Sequence, residues 1–259
     1  MAKGATGPAS KLESKGVSSA IVILPDRMAA QRLPGKPLAD IGGIPMIVRA
    51  QRQAEAAGIG PVVVAAGDPE IVDLVRAMGG EAVLTDPALP SGSDRVRAAL
   101  DEVDPVGRFD SVINLQGDMP FVDPATVGAV ARLMAEEPAC DIGTAVATEA
   151  STADRSNPDV VKAILTLTSA DRGRALYFTR STLYGDGPVW RHIGIYGYRR
   201  AALERFCAAP PSPLERREKL EQLRALELGL SIWASVVDEA PISVDNPEDL
   251  EAARARAGQ

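Results

Sequence analysis

The sequence predicts an α/β fold in which a central, mostly parallel mixed sheet is flanked by helices. Three observations predict it. Residues 20–24, 62–66 and 111–115 are short apolar runs without alternation, the pattern of strands buried on both faces of a parallel sheet. Helix-opening signals follow, Asp68-Pro69-Glu70 after the second run and Asp123-Pro124 after 111–115. No linker rich in Pro, Gly or Ser divides the 259 residues, so one domain over 20–255 is expected.

Taken in order, the first strand is expected to end at Pro25 and to empty into a basic loop carrying Arg27, Arg32 and Lys36 around a Pro34-Gly35 turn. That loop lacks the spacing of a P-loop or a dinucleotide fingerprint, so pattern alone assigns it as an anion-binding loop at the carboxyl edge of the sheet. Helical spacing from Pro45 to Ala57 stops at Gly58, a residue suited to a helix C-terminus. A helix from Asp68 to about Met78 ends at Gly79-Gly80, and residues 81–85 form a third strand. Helices are expected at 94–102 and from Asp123 to about Glu136, around a strand at 111–115. The second half reads as longer strands at 142–148, 160–168 and 192–198, one helix over 214–228 and a last helix over 248–256. These later strands are expected to form a lobe over the site.

Composition bounds the partners. The formal net charge of −7 gives no basic field for nucleic acid, so an anionic ligand needs a local cluster. Only Lys36, Lys162 and Lys219 lie beyond residue 15, which singles out the lysine in the loop. Cys140 and Cys207 stand apart without metal-ligand spacing, in keeping with a reducing, cytoplasmic setting. His192 is the only histidine, which argues against a histidine metal cluster. No apolar run reaches a membrane span. Residues 1–19 lack the apolar core of a signal peptide and read as a disordered extension.

Several short constellations carry chemistry. Gln116-Gly117-Asp118 leaves the fourth strand, where a carboxylate can hold a divalent cation or simply make an Asx turn. In Pro90-Ser91-Gly92-Ser93-Asp94-Arg95, Ser93 or Asp94 can cap the next helix. Before the last helix, capping accounts for Asn246, Pro247 and Glu248 but does not require Asp245. His192, Tyr196 and Tyr198 share one face of an alternating strand.

RLPGKPL at 32–38, PSGSDR at 90–95, QGD at 116–118, HIGIYGYR at 192–199, PSPLE at 211–215, LEQLR at 220–224 and VDNPEDLE at 244–251 occur together and in order. With them the chain resembles the 3-deoxy-manno-octulosonate cytidylyltransferases, the CMP-KDO synthetases of Gram-negative bacteria, over about residues 20–255. RLPGKPL alone admits other sugar nucleotidyltransferases, and HIGIYGYR with PSPLE and LEQLR narrows the likeness to the KDO branch. The resemblance implies a single-domain nucleotidyltransferase fold with a smaller sugar-binding and dimerisation lobe, and a homodimer. It implies transfer of CMP from CTP to the anomeric hydroxyl of KDO, with magnesium and release of pyrophosphate, for lipopolysaccharide biosynthesis.

Carried over residue by residue, the resemblance places Arg27, Arg32 and Lys36 around the CTP phosphates, and Ser93 and Arg95 on the nucleotide side. Gln116, His192, Tyr196, Glu221, Gln222 and Arg180 fall to the sugar acid, and Asp118 and Asp245 to magnesium. Lys36, Arg27, Asp118 and Asp245 are the implied catalytic set. No residue offers itself as a dedicated general base, so metal-assisted deprotonation of the sugar hydroxyl is the expected mechanism. Asp26, Ala30, Gln31, Gly67, Met119 and Tyr184 depart from the family pattern. Asp26 brings a negative charge beside the triphosphate loop and is expected to weaken CTP binding unless Arg27 or Arg32 pairs with it. A binding homologue with little turnover, and an enzyme acting on 8-amino-KDO or a sialic acid, are the alternative readings.

Overall fold

The computed structural model describes residues 20–29, 32–149 and 152–258. The expected extension at 1–19, together with Ala30 and Gln31, lies outside them. Four parallel strands form one end of the sheet: β1 (Ala20–Asp26), β4 (Val62–Ala66), β5 (Ala82–Leu84) and β6 (Ser111–Leu115), in the order β5-β4-β1-β6. β2 (Asp40–Ile41) and β3 (Ile44–Pro45) make a separate small hairpin. Pro25 does not end β1 as expected. The pairing with β6 stops at Ile23↔Asn114, so Pro25 lies where β1 has only β4 beside it, opposite Ala65.

Alternate residues of β1 face two separate cores. Ile21 and Ile23 pack with α3 (Gly92–Val103), through Val96, Ala99 and Leu100. Val22 and Leu24 pack with α1 (Met46–Ala56), α2 (Pro69–Ala77) and α4 (Pro124–Glu136). This two-sided burial is why the parallel strands are apolar without alternation.

The second half adds β7 (Ile142–Glu149), the short α5 (Thr152–Ser156), β8 (Lys162–Leu167), β9 (Arg172–Thr179), β10 (Val189–Arg199) and β11 (Ile232–Val237). The full order is β5-β4-β1-β6-β10-β7-β11-β9-β8, and β8 also pairs with β10. The later strands therefore curl into a nearly closed ring, which is the smaller lobe. β10 belongs to both parts: Trp190 and Arg191 pair with β8, while residues 195–199 pair with β6. Between these stretches its pairing with β7 jumps from Ile193↔Ala145 to Tyr196↔Thr144. The bulge bends the strand where it changes partner.

Helices α6 (Arg200–Ala208), α7 (Pro213–Glu218), α8 (Gln222–Glu227) and α9 (Pro247–Ala257) complete the fold. The expected single helix over 214–228 is two helices. Lys219 breaks it with φ of 56°, the left-handed region that costs a side-chain-bearing residue about 1–2 kcal/mol. Glu215 closes the capping box of Ser212 and also takes two hydrogen bonds from Arg224, at 2.6 and 2.7 Å. This buried pair ties PSPLE to LEQLR across the break. At α3 the cap is Ser91, which accepts from Asp94 N, rather than Ser93 or Asp94. Asp68 stands before α2 but caps nothing with its side chain. Its Oδ2 accepts from Met28 N at 2.8 Å and holds the basic loop instead.

Candidate active site

The basic loop turns at Gly35, whose φ of 71° suits a residue without Cβ, and delivers Lys36 into a short 3-10 turn. Lys36 Nζ lies 2.9 Å from Asp118 Oδ2 and 3.5 Å from Asp245 Oδ1. Arg32 Nη2 lies 3.4 Å from the same Asp245 oxygen. Two carboxylates from remote parts of the chain thus meet at one ammonium. Backbone bonds bring them there: Val244 N donates to Asp118 O at 2.9 Å. Asp249 fixes the other side, its Oδ2 accepting from Asp245 N at 2.9 Å and Asn246 N at 3.2 Å. The cap of α9 is therefore the reciprocal pair Asn246–Asp249, and Glu248 has no part in it.

Burial shapes the charges. It raises the Asp118 pKa despite the pull of Lys36. Burial works against the Lys36 ammonium, but Asp118, Asp245 and Asp26 outweigh it and hold that pKa above its ordinary value. A cationic nitrogen between two carboxylates marks a place suited to a hard cation. Two carboxylates joined by substrate phosphate oxygens are a usual donor set for magnesium, so the residues fit it. Among the described residues no cluster of three or more His, Cys, Asp or Glu side chains suits a metal without such a ligand.

Two cavities open on this pair. The smaller, ≈ 490 Å³, is lined by Asp26, Arg27, Lys36, Ser91 and Arg95 among others. The larger, ≈ 1320 Å³, takes in Arg180, His192, Tyr196, Lys219 and Gln222. Arg32, Gln116, Asp118 and Asp245 line both, forming a shared wall. Gln116 is held by its Nε2 donating to Asn114 Oδ1 at 2.7 Å. Gln222 lines the larger cavity, and its Nε2 is buried with no partner among the described residues. Arg180 is bound to the carbonyls of Pro158 and Asp159, at 3.0 and 3.2 Å.

Two expected site residues are placed elsewhere. Ser93 lines neither cavity. Because α3 begins at Gly92, its side chain turns inward, with Oγ 3.4 Å from Tyr198 OH and 3.5 Å from Glu221 Oε2. Glu221 stands at the start of α8, outside the lining of the larger cavity, and its carboxylate is drawn to Ser93. Arg95 does reach the smaller cavity, but it also ties α3 to the end of β5 through Thr85 Oγ1 and Asp86 O. Sequence reading passed over Lys219 and Arg191 in the larger cavity. The strained backbone at Lys219 leaves no mark in the residue type.

The departures are also placed. Gly67 leaves room for Arg95, whose Nη1 would come within 2.9 Å of an added Cβ. Met119 is buried in the wall of the larger cavity, and Tyr184 is 92% exposed. Asp26 pairs with neither guanidinium. Its Oδ1 accepts from Arg27 N at 2.9 Å, while its Oδ2 is buried and unpartnered among the described residues. A Cβ at Gly117 would fall 2.2 Å from that oxygen, so the glycine makes room for the acid. Burial first, and then Asp118, push the Asp26 pKa up to about 7. Near neutral pH this acid is partly uncharged.

The fold and the double cavity define a nucleotidyltransferase. A family model described as cytidylyltransferase matches residues 21–232. The 3-deoxy-manno-octulosonate cytidylyltransferase of Parvibaculum lavamentivorans is 57% identical over 91% of this chain and 91% of its own length. That of Rhodospirillum rubrum is 53% identical over 95% and 98%. A solved structure of CMP:2-keto-3-deoxy-manno-octonic acid synthetase complexed with CTP superposes with a TM-score of 0.86 at 36% identity, covering 93% of this chain and 98% of that one. The chain belongs to the 3-deoxy-manno-octulosonate cytidylyltransferase family.

The raised Asp26 pKa has a signed consequence. In the ligand-free protein the folded state holds this proton between pH 3.8 and about 7, where the unfolded chain has released it. Asp26 therefore favours folding at low pH, and that contribution is lost as pH rises through the window. In urea unfolding without added divalent cation, Asp26→Asn should match the wild type near pH 4 and exceed it increasingly toward pH 7, by on the order of 4 kcal/mol. A pH-independent difference would show that the acid is ionised throughout.

Proposed function

We propose that this enzyme transfers CMP from CTP to the anomeric hydroxyl of 3-deoxy-D-manno-octulosonate, releasing pyrophosphate, in lipopolysaccharide biosynthesis. The observation that carries this reading is the shared wall of Arg32, Gln116, Asp118 and Asp245 between two cavities of different character. A triphosphate in the smaller cavity meets Arg27, Arg32 and Lys36, and a sugar acid in the larger one meets Tyr196, Gln222 and Arg180. Their reacting ends then meet at the wall.

In the reaction the anomeric oxygen attacks the α-phosphorus and the bond to pyrophosphate breaks. The hydroxyl proton is released. Arg27, Arg32 and Lys36 offset the negative charge of the triphosphate, which otherwise repels an incoming carboxylate-bearing sugar. Gln116, Tyr196 and Gln222 orient the sugar, so that attack is the reaction of neighbours already in place. Asp118 and Asp245 would hold magnesium, which supplies charge neutralisation and a more acidic sugar hydroxyl.

Pyrophosphate release from CTP with magnesium tests the reading. KDO should be turned over in preference to 8-amino-KDO and sialic acid, and preference for either of those would reassign the substrate. Lys36→Ala should weaken CTP binding roughly ten- to a hundredfold and KDO binding less, the loss of one charge-assisted contact. Equal CTP affinity in that variant would remove Lys36 from the nucleotide site.

The same reading takes the protein as a cytoplasmic homodimer joined through the smaller lobe. The part of that lobe this reading looks to is the open face of β9, where Leu176 is a large apolar side chain 53% exposed. No helix among the described residues is long and apolar enough to cross a membrane. Light scattering should give twice the 27.2 kDa chain mass, and the chain mass itself would count against the dimer.

A further inference from the structure

Thr144 on β7 is fully buried beneath the bulge of β10. Its Oγ1 lies 2.8 Å from Ile195 O, 3.2 Å from Ile193 O and 3.0 Å from His192 Nε2. A hydroxyl has one proton to give, and a carbonyl oxygen only accepts. An approach of 2.8 Å between two oxygens is attractive only with that proton between them. The Thr144 proton is thus committed to Ile195 O, and Thr144 has only a lone pair left for His192. Nε2 must therefore carry hydrogen and donate.

Burial pushes the His192 pKa down to about 3, so the ring is neutral and Nδ1 is left as an acceptor. The ring packs edge-on to Phe178 at 5.0 Å and tilted against Tyr196 at 5.4 Å. It lines the larger cavity, where Arg180, Arg191, Lys219 and Gln222 all bring donors. A sugar hydroxyl that accepts from one of these has its own proton to place, and Nδ1 is there to take it.

We propose that Thr144 is a positioning residue: it locks His192 in the Nε2–H tautomer, so that Nδ1 accepts a hydrogen bond from a hydroxyl of the sugar acid. The proposal rests on the assignment of the larger cavity to the sugar.

His192 is the only imidazole in the chain, so an untagged protein gives one set of ring signals. Long-range proton–nitrogen correlation of the ligand-free, nitrogen-15-labelled protein near pH 7 should show a protonated Nε2 and a bare Nδ1. Thr144→Val should mix or reverse the tautomers and raise the KM for KDO about tenfold, the worth of one hydrogen bond, with the KM for CTP within twofold. Thr144→Ser, which keeps the hydroxyl, should restore both the spectrum and the KM. A wild-type spectrum with hydrogen on Nδ1 overturns the proposal without any variant, even if Thr144→Val fails to fold. Thr144→Val with an unchanged spectrum, or with a changed spectrum and an unchanged KM for KDO, also overturns it. Absence of wild-type turnover with KDO would instead refute the proposed function, and the spectra would still decide the tautomer.

Discussion

Asp118 and Asp245 repel each other, and the arrangement of the site follows from what holds them together. Both converge on Lys36 Nζ, at 2.9 and 3.5 Å. Burial makes the charge on Asp118 costly, so the pair needs a cation in place at all times. In this structure the cation is the lysine, supported by Arg32 at 3.4 Å from Asp245. The backbone bond from Val244 N to Asp118 O fixes the approach independently of charge. The anionic pair is thus built into the fold.

The same constraint explains why the sheet has two parts. Parallel strands β1, β4 and β6 put Asp26, the basic loop and Asp118 at their carboxyl ends, where an open α/β sheet binds its ligand. The later strands must then turn back to face that edge. β10 achieves this by leaving β8 for β6 across a bulge, which aligns His192 and Tyr196 on the wall of the larger cavity. The buried Glu215–Arg224 pair holds α7 and α8 together around the strained Lys219 and keeps Gln222 facing the same space.

How much of this was legible in the sequence depended on burial. β4 and β6 lie at 62–66 and 111–115 as read, because strands covered on both faces leave an unbroken apolar run. β9 went unread because Arg172, Arg174 and Leu176 project from its open face and blur the pattern. α6 and β11 were also missed; α6 opens after Arg199 with no side-chain cap to announce it. The leucine spacing from Leu214 to Leu228 runs through Lys219 without a trace of the left-handed turn. At the site, the motifs pointed to Lys36, Asp118 and Asp245, which the structure brings together. Ser93 faces away from both cavities, since a helix beginning two residues earlier than expected reverses where that side chain points. Thr144 lay outside every motif, because its role exists only where two strands slip register.

The central claim is that Asp118 and Asp245 act as one unit. Turnover measured against magnesium concentration for Asp118→Asn, Asp245→Asn and the double variant tests it most directly. Asparagine keeps the shape and removes an anionic oxygen, so each single change should cut turnover steeply while the fold survives. If both carboxylates serve one transition state, the double variant should be little worse than either single. Near-normal activity in Asp245→Asn, or losses that multiply fully in the double variant, would contradict the account.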